Sequence, residues 1–435
     1  MPTRRQFLGG IGIGAGLGIA NAIFDPRRAL AALEAFQDPA QLKRSALDVA
    51  TDETFWRHAQ EAFSVDRSLL NLNNGGVSPA PLMVQRAMQR HLDYANSAPS
   101  YALWEVLEPQ REGVRARLAR VFGANTEEIA ITRNASEGLE TCQLGFDFAP
   151  GDEVLATEHD YPRMITTFQQ RERRNGIKLV QFPIPVPCED PAEIVSRYAA
   201  HITPRTRMIL VSHSVFLTGQ ILPVREVVAL GRQRGIPVIV DGAHSFAHFA
   251  FTRDSLDCDY FSTSLHKWMF APHGTGMLYV RSERIGDLWP LMAAPETRRT
   301  NIRKFEEIGT HPAANALAIG EAITFHEGLG IERKEARLRY LRDTWARRLL
   351  ASPRVRLNTS LDPRFSCGIA NVHIDGIDHE ALRKHLWLKH KIIVVAITTA
   401  DCLGLRVTPS VYTTLSELDR FCEAVEVVLR DGLPG

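Results

Sequence analysis

Apolar positions along this chain fall into short unbroken runs separated by longer stretches with helical spacing. The runs at 129–132, 153–157, 178–182, 208–211, 236–240, 260–262 and 277–280 have the length and composition of strands buried on both faces. Between and before them, 81–96, 109–122 and 223–234 place apolar residues three and four apart, which predicts helices, and 97–104 reads as the loop joining the first two. This alternation predicts an α/β architecture: a large domain over 71–304 with a mostly parallel sheet flanked by helices. Beyond it, a long helical stretch over 313–350 leads to strands at 368–374, 392–396 and 405–408 and helices at 379–390 and 416–429. Those elements predict a linking helix and a smaller C-terminal α/β domain over 305–435. Residues 23–70 read as a mainly helical N-terminal segment.

Composition narrows the function classes. The 435 residues are 45% hydrophobic and 23% charged with a formal net charge of +1, which suits a globular enzyme and argues against nucleic acid as a partner. Six cysteines have no close paired spacing, so no metal site is expected. At the N-terminus, Thr3-Arg4-Arg5-Gln6-Phe7-Leu8 precedes an apolar, Gly-rich run ending in Ala20-Asn21-Ala22. This resembles a twin-arginine signal peptide over 1–22 with a small-x-small cleavage site, and implies export to the periplasm with only transient membrane contact.

The chemistry gathers at strand ends. The run 236–240 stops at Asp241, followed by Gly242, Ala243 and His244; the next leads into Ser264-Leu265-His266-Lys267 and a Gly-rich turn. In an open α/β sheet the carboxyl ends of the strands border the ligand crevice. A lysine that forms a Schiff base must be partly desolvated. A pyridine ring used as an electron sink needs a protonated nitrogen, which a buried carboxylate favours. Lys267 and Asp241 together meet those two demands.

This ordered set resembles the fold-type I pyridoxal-phosphate enzymes, specifically the class V aminotransferase family and its isopenicillin N epimerase-like branch, from about Asn71 onward. The resemblance implies pyridoxal 5'-phosphate as cofactor and Lys267 as catalytic residue. It implies phosphate contacts from Ala135 and Ser136 at a helix start, from Ser264 and His266, and from Thr310 reaching across a homodimer interface. It places His159 against the ring, Asp241 at the ring nitrogen and His244 facing the ring oxygen. Asn73, Asn74 and Tyr161 fall on the substrate side, and Arg406 matches the arginine that grips an amino-acid α-carboxylate by paired hydrogen bonds. Two positions depart from the pattern: Phe216 stands where desulfurases of the family carry Asn, and Thr413 replaces the usual Asn. Cys402, four residues before Arg406 on a short loop, reads as a buried structural thiol, which demotes desulfuration. The expected activity is transamination or epimerisation of an amino acid; a carbon–sulfur or other β-lyase and a non-catalytic binding protein are the alternatives.

Overall fold

The computed structural model describes residues 27–433, so the signal-like stretch at 1–22 lies outside the described residues. Seven strands build the main sheet: β1 (Ile129–Thr132), β2 (Glu153–Thr157), β3 (Lys178–Phe182), β4 (Thr206–Ser212), β5 (Val238–Asp241), β6 (Tyr260–Ser264) and β7 (Gly276–Val280). Their order across the sheet is β1-β7-β6-β5-β4-β2-β3. β7 runs antiparallel to both neighbours, and the remaining pairings are parallel. Every residue of β1, β2, β5, β6 and β7 is buried, as continuous apolar runs require when helices cover both faces. At the edge, β3 exposes Lys178 and Gln181, charged and polar positions that discourage pairing with another chain. The parallel arrangement brings Thr132, Thr157, Ser212, Asp241 and Ser264 to one end of the sheet.

Helices α1 (Leu82–Ser97), α2 (Glu108–Phe122), α3 (Ala135–Gly145), α4 (Pro162–Asn175), α5 (Pro191–His201) and α6 (Val224–Gln233) surround the sheet. The segment 97–104, read as a loop, instead enters a π-helix, Tyr101–Leu107, in which the Glu108 N–H donates to the Leu103 carbonyl five residues back. Pro109 has no N–H to continue the tighter four-residue pattern, which accounts for the wide turn.

The helical stretch expected over 313–350 is two helices, α7 (Ala313–Leu329) and α8 (Ile331–Leu349), broken at Gly330, whose φ of +83° is left-handed. Past the break, α8 passes from one core to another. Buried residues of α7 and Leu338 of α8 belong to the core shared with the large sheet, whereas Leu341 and Trp345 of α8 join a second core. That second core is built on the four-stranded antiparallel sheet β10-β11-β9-β8, from β8 (Val355–Leu357), β9 (Ala370–Ile374), β10 (Val395–Ile397) and β11 (Gly404–Val407). Helices α9 (His379–His390) and α10 (Leu415–Asp431) cover it. Leu70 and Leu72, at the sequence boundary of the large domain, lie in this second core, and Leu70–Asn71 pairs in parallel with Ile392–Ile393. The chain thus visits the small unit before building the large one.

Candidate active site

Two close approaches set the site's floor. Helix α3 presses so tightly on the sheet that a Cβ at Gly138 would overlap the Ser262 hydroxyl and lie 2.9 Å from Ser262 Cβ. At Gly276, a Cβ would fall 2.6 Å from Asn134 Cα. Together these glycines let the start of α3 cross the end of the sheet. Asn134 caps that helix by accepting from the Glu137 N–H at 2.9 Å, and the Ala135 N–H donates to Ser264 Oγ at 2.9 Å. The first helical turn, Ala135 and Ser136, therefore stands with its remaining N–H groups beside the end of β6, an arrangement suited to an anion.

A cavity of about 440 Å³ opens at this end and is lined by Ala135, Ser136, Tyr161, Asp241, His244, Ser264, His266, Lys267 and Arg406, among others. Lys267 Nζ lies 3.2 Å from His244 Nε2. Burial lowers its pKa to about 8, against the opposing pull of Asp241 and with a further lowering from Arg406. The amine is thus far closer to its nucleophilic free-base form at neutral pH than a solvated lysine. Burial raises the Asp241 carboxyl above its usual range, while the Ala243 N–H at 2.9 Å and the charge on Lys267 pull it down. His244 is driven well below the ordinary histidine value, first by burial and then by Lys267 and Arg406, so it is a neutral imidazole. His266, whose Nδ1 lies 3.1 Å from the Thr275 carbonyl, is lowered to about 4, chiefly by burial.

Arg406 is buried at the opposite wall. Its Nη1 donates to the Phe216 carbonyl at 2.8 Å and its Nη2 to Asn73 Oδ1 at 2.9 Å, leaving Nε without a partner. Tyr161 packs edge-on against Phe216 with ring centroids 5.3 Å apart, so the aromatic pair stands beside the guanidinium. Asn73 is half-buried behind Arg406. Asn74 is not a substrate-side donor: its Nδ2 donates to the Asn71 and Thr408 carbonyls, both at 3.0 Å, and its Oδ1 accepts from the Tyr412 hydroxyl at 2.5 Å. Its amide hydrogens tie the 71–75 turn to Thr408, just past β11, which an Asn-rich turn does not reveal in sequence.

His159 follows β2, fully buried, with Nε2 hydrogen-bonded to Asp401 on the 398–402 loop of the small unit; it is not among the cavity-lining residues. His159, Asp401 and Cys402 each bring one potential ligand atom within 4.8 Å of the others. Thr310 lies apart from Lys267, on a separate cavity with Trp104, Gly309 and His311. Cys402 is buried, and burial with the Asp401 charge raises its thiol to about 12.

Sequence reasoning passed over Ser212, Ser214 and Arg163, which also line the main cavity. Ser212 is the strand-end residue of β4, paired with Asp241 across the sheet, so the rule that found Asp241 finds it too. It donates at 2.7 Å to Asp160, a fully buried carboxyl raised to about 6 by burial.

The cavity fits the expected cofactor on the protein's own terms. Ser214 Oγ, His244 Nδ1 and Arg406 Nε are buried polar atoms with no protein partner, and each belongs to a residue lining it. The family model described as "Aminotransferase class-V" matches residues 70–421. "Isopenicillin N epimerase" of Streptomyces clavuligerus is 30% identical over 391 residues, spanning 86% of this chain and 98% of that protein. A "Probable cysteine desulfurase" of Vibrio cholerae is 24% identical over 383 residues, covering 82% and 93%. Among solved structures, a C-DES mutant with glycine covalently linked to its PLP cofactor superposes with a TM-score of 0.75 at 23% identity, covering 84% of this chain and 98% of that one. The carboxylate, lysine and helix start assembled at one end of a fold-type I sheet therefore belong to a pyridoxal-phosphate-dependent enzyme of the class V aminotransferase family.

Proposed function

We propose that this enzyme moves a proton at the α-carbon of an amino acid, either epimerising it or transaminating it with a 2-oxo acid. The observation that carries this reading is the single cavity shared by Lys267, its amine lowered to about 8, and Arg406, with one guanidinium nitrogen unpaired. Bound pyridoxal phosphate supplies an electron sink that acidifies the Cα–H bond. Arg406 would hold the α-carboxylate and Asp241 the ring nitrogen, and neutral His244 beside Lys267 Nζ adds no second positive charge there. Lys267 accepts the Cα proton and returns it. Phe216 in place of a hydrogen-bonding side chain, and a Cys402 thiol raised to about 12, speak against persulfide chemistry of the desulfurase kind.

The test is an amino-acid screen in deuterated water, followed by mass and chirality. Cα deuterium uptake with inversion, or with 2-oxo acid-dependent amino transfer, supports the proposal. Release of pyruvate or sulfide without Cα exchange of the recovered amino acid favours the lyase alternative instead.

The same reading extends to assembly and location. Thr310, seated away from its own chain's Lys267 and near the exposed Trp104, suits a residue that completes a partner's site in a homodimer. Thr3 to Leu8 supports export through the twin-arginine route. Among the described residues, no helix is long and apolar enough to cross a membrane.

A further inference from the structure

Arg163 stands on the first turn of α4, lines the same cavity as Lys267, and is exposed. Among the described residues, no hydrogen bond or ion pair engages its guanidinium, although this chain pairs most of its arginines with carboxylates or carbonyls. The packing of α4 on α3 fixes where it lies. Thr167 Oγ1 meets Glu140 Oε1 at 3.4 Å, and Arg171 Nη1 donates to the Leu144 carbonyl at 2.7 Å, both pairs 27 residues apart. These contacts are one helical turn apart on each helix, so the helices run side by side in the same direction. One turn before Thr167, Arg163 lies toward the amino end of α4, as Ser136 does of α3. Ser136 and Leu139 share the cavity wall with it.

The charge balance of that corner asks for a cation. Arg133, just before α3, is spent on Glu137 of its first turn, and the groups otherwise available there are the α3 N–H groups, the Ser136 and Ser264 hydroxyls, and His266, which burial keeps neutral at physiological pH. Lys267 and Arg406 are committed elsewhere, the first beside His244 and the second at the Phe216–Asn73 wall. We infer that Arg163 is a phosphate-binding residue: of the described residues lining this cavity, it is the one Lys or Arg besides Lys267 and Arg406, and so the formal positive charge available to the cofactor's dianionic group at the start of α3. A guanidinium offers paired donors to a phosphate, and a solvent-facing arginine can close over the group after it enters. The inference rests on the cofactor assignment above and adds a residue to it.

The test compares pyridoxal 5'-phosphate with pyridoxal, which lacks the phosphate, titrated into apo-enzyme and followed by absorbance. Arg163→Gln is expected to weaken the phosphorylated form about tenfold, leave pyridoxal unchanged and flatten the salt dependence; Arg163→Lys is expected to recover most of the loss. Equal weakening of both forms marks a structural role and overturns the inference. Unchanged affinity for both overturns it too, including the case in which the variant instead loses affinity for glutarate relative to butyrate, the mark of a substrate-anion site. Failure of wild-type protein to attach either aldehyde at Lys267 would be a different result, sinking the cofactor reading itself.

Discussion

Lys267 and Asp241 line one cavity, and burial acts on them in the same sense, disfavouring ionisation of both. For the lysine, the free base is the reactive form, and its fraction rises with pH. Attachment of pyridoxal phosphate to apo-enzyme is therefore expected to accelerate through a midpoint near pH 8, the value to which burial lowers the amine, and not near the 10.5 of a solvated lysine. Stopped-flow absorbance across pH 6–11 measures this. Arg406→Lys keeps a charge but loses the fork; kcat/KM is expected to fall roughly 100-fold, about 2.7 kcal/mol at the transition state, with the larger part in KM if the α-carboxylate is what it holds. Asp241, Lys267 and Arg406 were legible because each occupies a punctuated spot: an acid directly after an apolar run, a lysine in the turn a few residues past one, and an arginine inside one. Asn74 and Arg163 were not. An Asn-Gly turn says nothing of which amides the turn consumes internally, and a first-turn arginine looks in sequence like any solvated one.

At the scale of elements, the site depends on how closely α3 approaches β6. Gly138→Ala places a methyl against the Ser262 hydroxyl and Cβ and the Leu278 Cβ, a close approach that opens only if α3 shifts away from β6 at this end of the site. The expected cost is about 1–3 kcal/mol of stability together with weaker cofactor affinity, measured by chemical denaturation and by cofactor titration. The strands of the large sheet were readable because a buried parallel sheet demands unbroken apolar runs, a pattern that survives without knowledge of the neighbours. The division of 313–350 was hidden for the complementary reason. Gly330 sits between Leu329 and Ile331, so the apolar pattern continues through a position where the backbone turns left-handed and one helix ends. The π-helix at Tyr101–Leu107 was obscured by Pro99 and two serines, which read as loop, while the widening itself comes from Pro109 further on.

The whole molecule holds its site between two units. Arg406 comes from β11 of the small one and reaches a carbonyl of the large one at Phe216, and Asp401 reaches His159 in the same way. The Arg406 wall of the cavity is therefore coupled to how the units meet, and the Leu70–Asn71 pairing with Ile392–Ile393 ties the start of the large unit to the small one. The proposed shared-site homodimer adds a further prediction. Inactive Lys267→Ala and Thr310→Glu proteins, unfolded and refolded together, are expected to recover activity, because one site of each mixed dimer combines an intact Lys267 with an intact Thr310. Separate refolding is expected to recover none. The most direct measurement of the central claim is borohydride reduction of the purified holoenzyme followed by peptide mass spectrometry. The account predicts a phosphopyridoxyl mass on the peptide containing Lys267, absent from Lys267→Ala; a modified peptide elsewhere, or none from protein saturated with the cofactor, would contradict it.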